Sequence, residues 1–246
     1  MTLLVTGASG YLGRELLRRT EAVGISSRDV DIRDADGLRR LFERLRPDAV
    51  INTAYRGDDR ATTFDGAVNV ACGAGDARLI QVSTDVVFDG TKGSPYREDD
   101  EPSPLTDYGR AKADAERAVL AARPGALVVR TSLIYGGPEP GPQERLAADP
   151  GATFFTDEVR CPIQVGDLAD ALIELAATER SGVLHVAGAD RLSRAELAGL
   201  LARRPVRTSS IADSGLVRPR DCSLATGRAR ELLETRLRGA REVLDP

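Results

Sequence analysis

A doubly wound parallel sheet of the α/β class is the fold that the sequence predicts, and two features of the chain predict it. Short apolar runs alternate with amphipathic stretches over residues 1–131, and a glycine-rich segment directly follows the first run. Apolar strands that alternate with helices form βαβ units, in which helices cover both faces of a parallel sheet. The 246 residues are enough for one such domain with a small carboxy-terminal lobe.

The order of the elements follows from the hydrophobic periodicity. Strands are predicted at Leu3–Val5, Ala22–Ile25, Ala49–Asn52, Leu79–Ser83 and Ala126–Arg130, with a return to the sheet at 182–187. Helices are predicted at 11–20, 36–46, 107–122, about 166–178 and 193–203, the last because Ser193 and Glu196 have capping-box spacing. Residues 136–162, rich in glycine, proline and charge, predict a long irregular loop, and residues 223–236 predict a final helix.

The composition argues against several classes of protein. The net charge is -4 with acids and bases mixed along the chain, so no basic block indicates nucleic acid or an anionic membrane as a partner. No apolar run approaches the ~20 residues that span a bilayer. The three cysteines show neither metal-ligand nor disulfide spacing, so we expect no metal site and a reducing, cytoplasmic environment. The single histidine, His185, lies in an apolar stretch and is predicted to have a packing role.

The segment after the first strand carries glycines at positions i, i+3 and i+6. Gly7 permits a tight turn, Gly10 lets the backbone approach a pyrophosphate, and Gly13 lets the next helix pack on the sheet. The helix amino terminus then presents N–H groups and a partial positive charge to the phosphates. This placement predicts an NAD(P)-binding turn of the Rossmann type, with a purely structural turn as the alternative. The cofactor contacts predicted here are Gly7, Ser9, Gly10, Tyr11, Leu12 and Gly13.

The residues after the second strand bear on the choice between NAD and NADP. An acidic residue there binds the ribose hydroxyls of NAD, whereas a basic residue accommodates the 2′-phosphate of NADP. Ser27 and Arg28 favour NADP; the alternatives are NAD as the cofactor and a solvated surface role for Arg28. The Asp29 side chain is expected to point away from the ribose of the cofactor. In the loop that follows, the Asp31 carboxylate is predicted to accept a hydrogen bond from the adenine amino group, with a turn-forming role as the alternative.

Tyr108 and Lys112 open a predicted helix four residues apart, so they share one face of it. An ammonium stabilises a neighbouring phenolate, which makes the phenol a better proton donor to a carbonyl that is being reduced. Earlier in the chain, the carboxyl end of the fourth strand carries Ser83, Thr84 and Asp85. Ligands bind at such strand ends in open α/β sheets. Together these features predict a carbonyl reductase, and the alternative for the Tyr–Lys pair is a capped surface helix.

A longer pattern surrounds these residues. It runs from Val82 to Gly93 and continues through Pro95–Asp100 and Pro102–Leu105 to Tyr108. Later landmarks are Arg130-Thr131-Ser132 with Tyr135-Gly136, and Arg218-Pro219 with Ser223-Leu224. In these motifs the chain resembles the extended short-chain dehydrogenase/reductases, and among them the dTDP-4-dehydrorhamnose reductase family, which includes a regulatory relative.

The resemblance implies a site and a reaction. Thr84, Tyr108 and Lys112 would be the catalytic triad. Hydride would pass from NAD(P)H to the C4 ketone of a nucleotide-linked 4-keto-6-deoxysugar, and Tyr108 would give the proton. Asp31 and Ile32 would bracket the adenine. Further cofactor contacts are expected at Asn52, Thr53, Ala54, Tyr55 and Ser83, with Ala54 and Tyr55 on the nicotinamide side. Substrate contacts are expected at Thr84, Asp85, Val86, Tyr108, Leu133 and Arg218.

The chain also departs from the family pattern. Val86 stands where relatives usually carry tyrosine, and Leu133 where they carry tryptophan. The usual asparagine–phenylalanine pair is missing after Gly136, and the segment between Asn69 and Leu79 is about two helical turns shorter, which leaves the role of Asn69 open. These differences indicate a different or smaller substrate.

The predicted organisation is a dinucleotide-binding core at 1–135, with returns at about 163–187, and a substrate-binding lobe at 136–162 and 188–246. The predicted function is an NAD(P)H-dependent reductase whose partner is a nucleotide sugar; a homodimer is compatible with the sequence. The alternatives are an NADP-binding regulatory protein without catalysis and a reductase of another small carbonyl compound. A sugar epimerase or dehydratase is disfavoured, because Val86 cannot supply the second acid that a dehydratase usually needs.

Overall fold

The structure is a computed structural model that describes residues 1–245. Its strands are β1 (Leu3–Thr6), β2 (Ala22–Ile25), β3 (Ala49–Asn52), β4 (Arg78–Thr84), β5 (Leu127–Thr131), β6 (Ile134–Tyr135), β7 (Thr153–Phe155), β8 (Val159–Arg160), β9 (Ile163–Gln164), β10 (Gly182–His185), β11 (Leu192–Ser193) and β12 (Arg207–Ser209).

Its α-helices are α1 (Tyr11–Arg19), α2 (Ala35–Leu45), α3 (Gly66–Gly73), α4 (Asp107–Ala122), α5 (Pro142–Ala148), α6 (Val165–Ala176), α7 (Arg194–Ala202), α8 (Ile211–Ser214), α9 (Gly227–Leu232) and α10 (Ala240–Leu244). A π-helical turn at Ala61–Asp65 leads into α3, and a 3₁₀ turn at Asp85–Val87 follows β4. Within the described residues, no helix is long and apolar enough to cross a membrane.

The first of two compact units comprises Met1–Ser83, Asp107–Val129 and Ala169–Leu184. It is built on a six-stranded sheet in the order β2-β1-β3-β4-β5-β10. β1 pairs in parallel with both β2 and β3, and β3 pairs in parallel with β4. The strand order therefore reverses at β1, which is the position where ligands bind beyond the carboxyl ends of such sheets. The predicted doubly wound α/β fold is confirmed.

Helices α2, α3 and α4 share one core with the sheet. Leu38 and Phe42 of α2, Val70 of α3 and Val119 of α4 are all buried there against Leu79 of β4. Burying side chains of this size stabilises the fold by roughly 1.5–3 kcal/mol each. This core fixes α4, and with it Tyr108 and Lys112, on the sheet.

The second unit comprises Thr84–Thr106, Arg130–Leu168 and the described residues from His185 onward. Its short strands pair as β7 with β12, β8 with β11, and β6 with β9. Helix α5 packs against α7, where Ala147, Phe154 and Ala198 form a small core. The capping box predicted at Ser193 and Glu196 is present at the start of α7.

Two predicted segments differ in the structure. Residues 136–162 are not a long irregular loop, because they contain α5, β7 and β8; each is too short to show a period in sequence. Residues 223–236 are helical only at Gly227–Leu232, since Leu233 already has an extended backbone and ends α9.

The sequence analysis also assigned no helix to residues 61–73. The apolar stretch of α3 has only a weak amphipathic pattern, because its outer side also carries small or apolar residues, among them the exposed Cys72. Residues 84–106, assigned to the nucleotide-binding core from the sequence, group here with the second unit. Tyr96 forms a bridge to Leu224, and its amide donates to the Ser223 carbonyl at 2.7 Å. His185 is fully buried in β10, and burial lowers its pKa to about 3.

Candidate active site

The glycine-rich turn after β1 is shaped by close backbone approach. Gly7 has a φ of +71°, and a Cβ there would lie 2.7 Å from the Thr53 hydroxyl and 2.8 Å from the Ala54 amide. A Cβ on Gly13 would lie 2.3 Å from the Gly7 carbonyl. These two positions therefore require glycine because the turn, α1 and the end of β3 are in contact.

The same turn has the chemistry of an anion site. Gly10 is the N-cap of α1 and offers no side-chain acceptor to the first amides of the helix, and the first turn of α1 contains no acidic residue. A Cβ on Gly10 would meet only the Gly7 carbonyl, at 3.0 Å, so its outer side is open. Free amides at a helix amino terminus suit the pyrophosphate of a dinucleotide. Beside them, Ser9 is exposed, Tyr11 is half-buried and Leu12 is buried.

The end of β2 presents a cation and no available acid. Asp29 accepts from the Ser26 amide at 2.9 Å and from the Ser26 hydroxyl at 2.8 Å, and these bonds lower its pKa. Ser27 and Arg28 are exposed. The carboxylate nearest this strand end is thus engaged within its own loop, while Arg28 is open to solvent.

The following loop holds the predicted adenine contacts. The Asp31 carboxylate receives the Arg33 guanidinium at 2.6 Å, and this pairing lowers the Asp31 pKa to about 2. The Ile32 side chain is only 8% exposed, and Asn69 donates to the Ile32 and Arg33 carbonyls at 3.1 Å. Asn69, whose role the sequence left open, therefore anchors this loop to α3.

A chain of buried hydrogen bonds crosses the carboxyl ends of β1, β3 and β4. Thr6 donates to Asn52 at 2.5 Å, Asn52 donates to Gln81 at 2.7 Å, and Gln81 donates to the Val82 carbonyl at 3.0 Å. The Asn52 side chain, predicted as a cofactor contact, is fully buried in this chain. Thr53 donates to the Thr6 carbonyl at 2.7 Å. These bonds tie the end of β4 to the start of the glycine-rich turn.

Helix α4 brings the predicted proton donor and lysine together with Tyr55. The rings of Tyr55 and Tyr108 are 5.6 Å apart, and the Lys112 ammonium lies 5.0 Å from the centre of the Tyr55 ring. Lys112 is 4% exposed and donates to the Val82 carbonyl at 3.0 Å. Burial lowers the Lys112 pKa to about 8, and the Glu116 carboxylate opposes that shift. Tyr108 is half-buried.

Glu116 is a residue that the sequence analysis missed. It lies one helical turn beyond Lys112, is 3% exposed, and accepts a hydrogen bond from the Ser83 hydroxyl. Its spacing of four residues from Lys112 and eight from Tyr108 was the available signal. Charged residues in helices are mostly exposed, which is why the pattern did not indicate a buried carboxylate.

In the second unit, Thr84 caps the 3₁₀ turn that follows β4. Its hydroxyl lies 3.4 Å from the Val86 amide, which donates to it. Asp85, predicted as a substrate contact, is 3% exposed and accepts from the Ser132 hydroxyl at 2.5 Å. Burial raises the Asp85 pKa, and the nearby Arg160 guanidinium opposes the shift. Asp85 is therefore engaged inside the second unit.

Arg160 is a second residue that the sequence did not reveal. It is 2% exposed and donates to the Pro219 and Arg220 carbonyls, each at 3.1 Å. Arg218, a predicted substrate contact, is paired with Glu158 at 2.9 Å, and its side chain is 42% exposed. Buried Arg160 thus fixes the backbone on which Arg218 is carried.

The two positions where aromatic residues were expected are half-buried aliphatics. Val86 belongs to the 3₁₀ turn after Thr84, and Leu133 packs against the cluster around Tyr135 and Leu192. The predicted site residues thus fall into two sets. The first unit holds the glycine-rich turn, the β2 end and the Tyr55–Tyr108–Lys112 cluster, and the second unit holds Thr84, Asp85, Val86, Leu133 and Arg218.

Comparison with known proteins identifies relatives of the whole chain. The dTDP-4-dehydrorhamnose reductase of Mycolicibacterium smegmatis is 38% identical over 216 residues, which are 78% of this chain and 65% of that reductase. The chain thus spans slightly less than two thirds of that relative. The dTDP-4-dehydrorhamnose reductase of Streptomyces griseus is 37% identical over 247 residues, covering 88% of this chain and 81% of that one.

Solved structures show the same fold. The dTDP-4-dehydrorhamnose reductase of Bacillus anthracis in complex with NADP superposes with a TM-score of 0.89 over all of this chain and 98% of that one. At 24% identity this likeness concerns the fold. The profile of the RmlD substrate binding domain matches residues 1–244, which agrees with the resemblance found in the sequence motifs. The chain belongs to the RmlD substrate binding domain family.

Proposed function

We propose that the chain is an NADPH-dependent reductase that reduces the C4 ketone of a nucleotide-linked 4-keto-6-deoxysugar to an alcohol. One observation carries the proposal. Tyr108 and Lys112 share a face of α4, and Lys112 is buried with its ammonium on the Val82 carbonyl, two residues before Thr84. The reductases of Mycolicibacterium smegmatis and Streptomyces griseus, which are 38% and 37% identical to this chain over the aligned residues, support the proposal.

The first unit offers the residues to hold the dinucleotide. The glycine-rich turn and the amides of α1 would bind the pyrophosphate, and Arg28 would meet the 2′-phosphate of NADP. Asp29 is engaged with Ser26, so the β2 end provides no free carboxylate for the ribose hydroxyls that distinguish NAD. When bound, the cofactor supplies the hydride.

The chain's own residues handle the proton. The Tyr108 O–H bond breaks as its proton passes to the carbonyl oxygen, which becomes the product hydroxyl, while the carbonyl carbon accepts the hydride. The Lys112 ammonium stabilises the phenolate left on Tyr108, and solvent returns the proton. The Thr84 hydroxyl is assigned to hydrogen-bond the carbonyl oxygen, a role in which a fixed donor stabilises developing negative charge.

The second unit is proposed as the substrate-binding lobe. Arg218 is a partly exposed cation of this unit, and its guanidinium is suited to the phosphates of a nucleotide sugar. Val86 and Leu133 present aliphatic side chains, which cannot stack on a sugar ring as aromatic residues do, so we propose a different sugar from the one that the family usually binds. The free cysteines, two of them buried, are consistent with the reducing cytoplasm that we propose as the compartment.

The test is NADPH oxidation, followed by absorbance, with a dTDP-4-keto-6-deoxyhexose. We expect turnover by the natural sequence and a loss of about 10²–10⁴-fold in Tyr108→Phe, because the phenol is the proton donor. NADPH binding, measured by fluorescence, should survive in that variant. Binding of NADPH without turnover of this or any other carbonyl compound would instead favour a regulatory protein that does not catalyse.

A further inference from the structure

The Lys112 ammonium is hydrogen-bonded to β4 and shares a helix face with a buried carboxylate. From β4, the Val82 carbonyl accepts from Lys112 at 3.0 Å and also from Gln81 at 3.0 Å, so this acceptor is fixed by a second bond. From α4 itself, Glu116 lies one turn further along the same face. Gln81 and the Val82 carbonyl are neutral, so they orient Lys112 but do not compensate its charge.

The other groups around Lys112 do not supply that compensation. Tyr108 of α4 and Tyr55 after β3 face it as neutral rings, and Tyr55 contributes a weak cation–π contact at 5.0 Å. The π-helical turn that packs on α4 brings Arg60, whose charge is paired with Asp114 at 2.9 Å. Glu116 is therefore the anion that acts on the buried ammonium.

The amino-acid composition independently indicates that position 112 requires a lysine rather than an arginine. Of 34 basic residues, two are lysines, Lys92 and Lys112, and the others are arginines. Arginine stays charged at any pH that a protein experiences, whereas a buried lysine can change its charge. Apart from Lys92, the chain uses arginine for its basic residues, yet it has lysine one helical turn from the proposed proton donor.

We propose that Glu116 is a positioning residue: its buried carboxylate keeps the Lys112 side chain charged and aligned on the Tyr108 face of α4, and the Ser83 hydroxyl holds that carboxylate in place. The kinetic consequence rests on the proposed reductase function, but the effect on Lys112 does not. A reductase needs Lys112 as an ammonium to stabilise the Tyr108 phenolate, so Glu116 sets the pH above which that support is lost.

The direct test is NMR of the full chain labelled with ¹³C-lysine. Only two side chains give signals, and Lys92→Arg identifies the one that belongs to Lys112. We expect Lys112 to titrate near pH 8 in the natural sequence. In Glu116→Gln its midpoint should fall by roughly one pH unit or more, because an opposite charge at close range is removed.

The matched control is Asp114→Asn, which removes a carboxylate from the same helix where it faces Arg60 and Arg117. It should leave the Lys112 midpoint in place, and Glu116→Asp, which keeps the charge, should stay close to the natural sequence. If Glu116→Gln does not fold, Glu116→Met removes the same charge with an apolar side chain of similar length. An unchanged Lys112 midpoint in the charge-removing variant, or an equal shift in Asp114→Asn, would overturn the proposal.

The kinetic readout is the pH profile of NADPH oxidation. Loss of the Glu116 charge should move the descending limb to lower pH, with a loss of roughly fivefold at pH 8 for a shift of one unit. A purely structural role would lower the rate at every pH and leave the limb in place, which would also overturn the proposal. Absence of turnover in the natural sequence would refute the reductase function, while the NMR titration would still decide the role of Glu116.

Discussion

The Arg160 guanidinium lies 3.7 Å from the Asp85 carboxylate, and neither side chain is more than 4% exposed. Glu158 shares the same guanidinium at 3.3 Å, and the Pro219 carbonyl accepts from it. One buried cation therefore links the turn after β4, strand β8 and the segment before Cys222. Glu158 also pairs with Arg218 at 2.9 Å, and Asp85 accepts from the Ser132 hydroxyl at 2.5 Å.

Arg160→Met should destabilise the protein by about 3–5 kcal/mol, because it leaves the buried Asp85 carboxylate without its paired guanidinium. The free energy of unfolding in urea measures the effect. Arg97→Met is the control, since Arg97 pairs with Asp99 at the surface, where both side chains are at least 70% exposed. Equal unfolding midpoints for the two variants would contradict the role assigned to Arg160.

Two glycines of the glycine-rich turn should have different roles: Gly13 in folding and Gly10 in cofactor binding. Gly13→Ala places a methyl group against the Gly7 carbonyl, so it should lower stability by about 1–3 kcal/mol. Gly10→Ala meets little protein and should change stability by less than about 1 kcal/mol. Its methyl group instead points where a pyrophosphate would approach, so NADPH affinity should fall. Thermal unfolding with and without NADPH distinguishes the two, and unchanged NADPH affinity in Gly10→Ala would argue against this binding site.

Arg28 should decide the preference between the two nicotinamide cofactors. Its exposed guanidinium follows β2, so Arg28→Ala should weaken NADPH by roughly 10- to 100-fold and leave NADH nearly unchanged. Fluorescence titration with each cofactor measures this. Arg39→Ala, in an exposed pair with Asp36 on α2, is the control. Equal weakening of both cofactors in Arg28→Ala would remove Arg28 from the 2′-phosphate.

Burial of Lys112 should make stability rise in alkaline solution. Below pH 8 the lysine is charged in the folded and unfolded chain, so the full cost of its burial is present. Between pH 8 and the unfolded value of ~10.4 only the unfolded chain keeps the proton, so this group's contribution improves by about 3 kcal/mol. Urea unfolding across this range should show the rise in the natural sequence and in Lys92→Met, but not in Lys112→Met. The same slope in all three would contradict the shifted pKa.

The elements that the sequence predicted well are those with a clear period or end signal. Helix α4 shows its apolar spacing over 16 residues, and the capping box at Ser193 fixes the start of α7. Helix α3 was not predicted, because its residues are small or apolar on the exposed side as well as on the side that packs against α2 and α4, so no polar face marks it in the sequence. The segment after α9 was overpredicted, because helical spacing continues past Leu233 where the backbone is extended.

In the candidate site, too, the sequence predicted local motifs but not the residues that depend on distant contacts. The glycine turn and the Tyr108–Lys112 pair are local motifs, so their spacing in the chain is also their spacing in space. Glu116 and Arg160 escaped because their importance lies in burial, and burial of a charge depends on contacts with Ser83 and Asp85 that are distant in sequence. Sequence periodicity treats such charges as solvent-facing.

The hydrogen-bond chain from Thr6 through Asn52 and Gln81 to the Val82 carbonyl is built from hydroxyl and amide groups, none of which ionises in the range where an enzyme works. The hydrogen bonds that hold Lys112 on β4 therefore do not depend on pH in that range. For protein engineering, the optimum pH of this protein would be tunable by substitution of Glu116 alone, while the hydrogen-bond chain that ends at the Val82 carbonyl continues to hold Lys112.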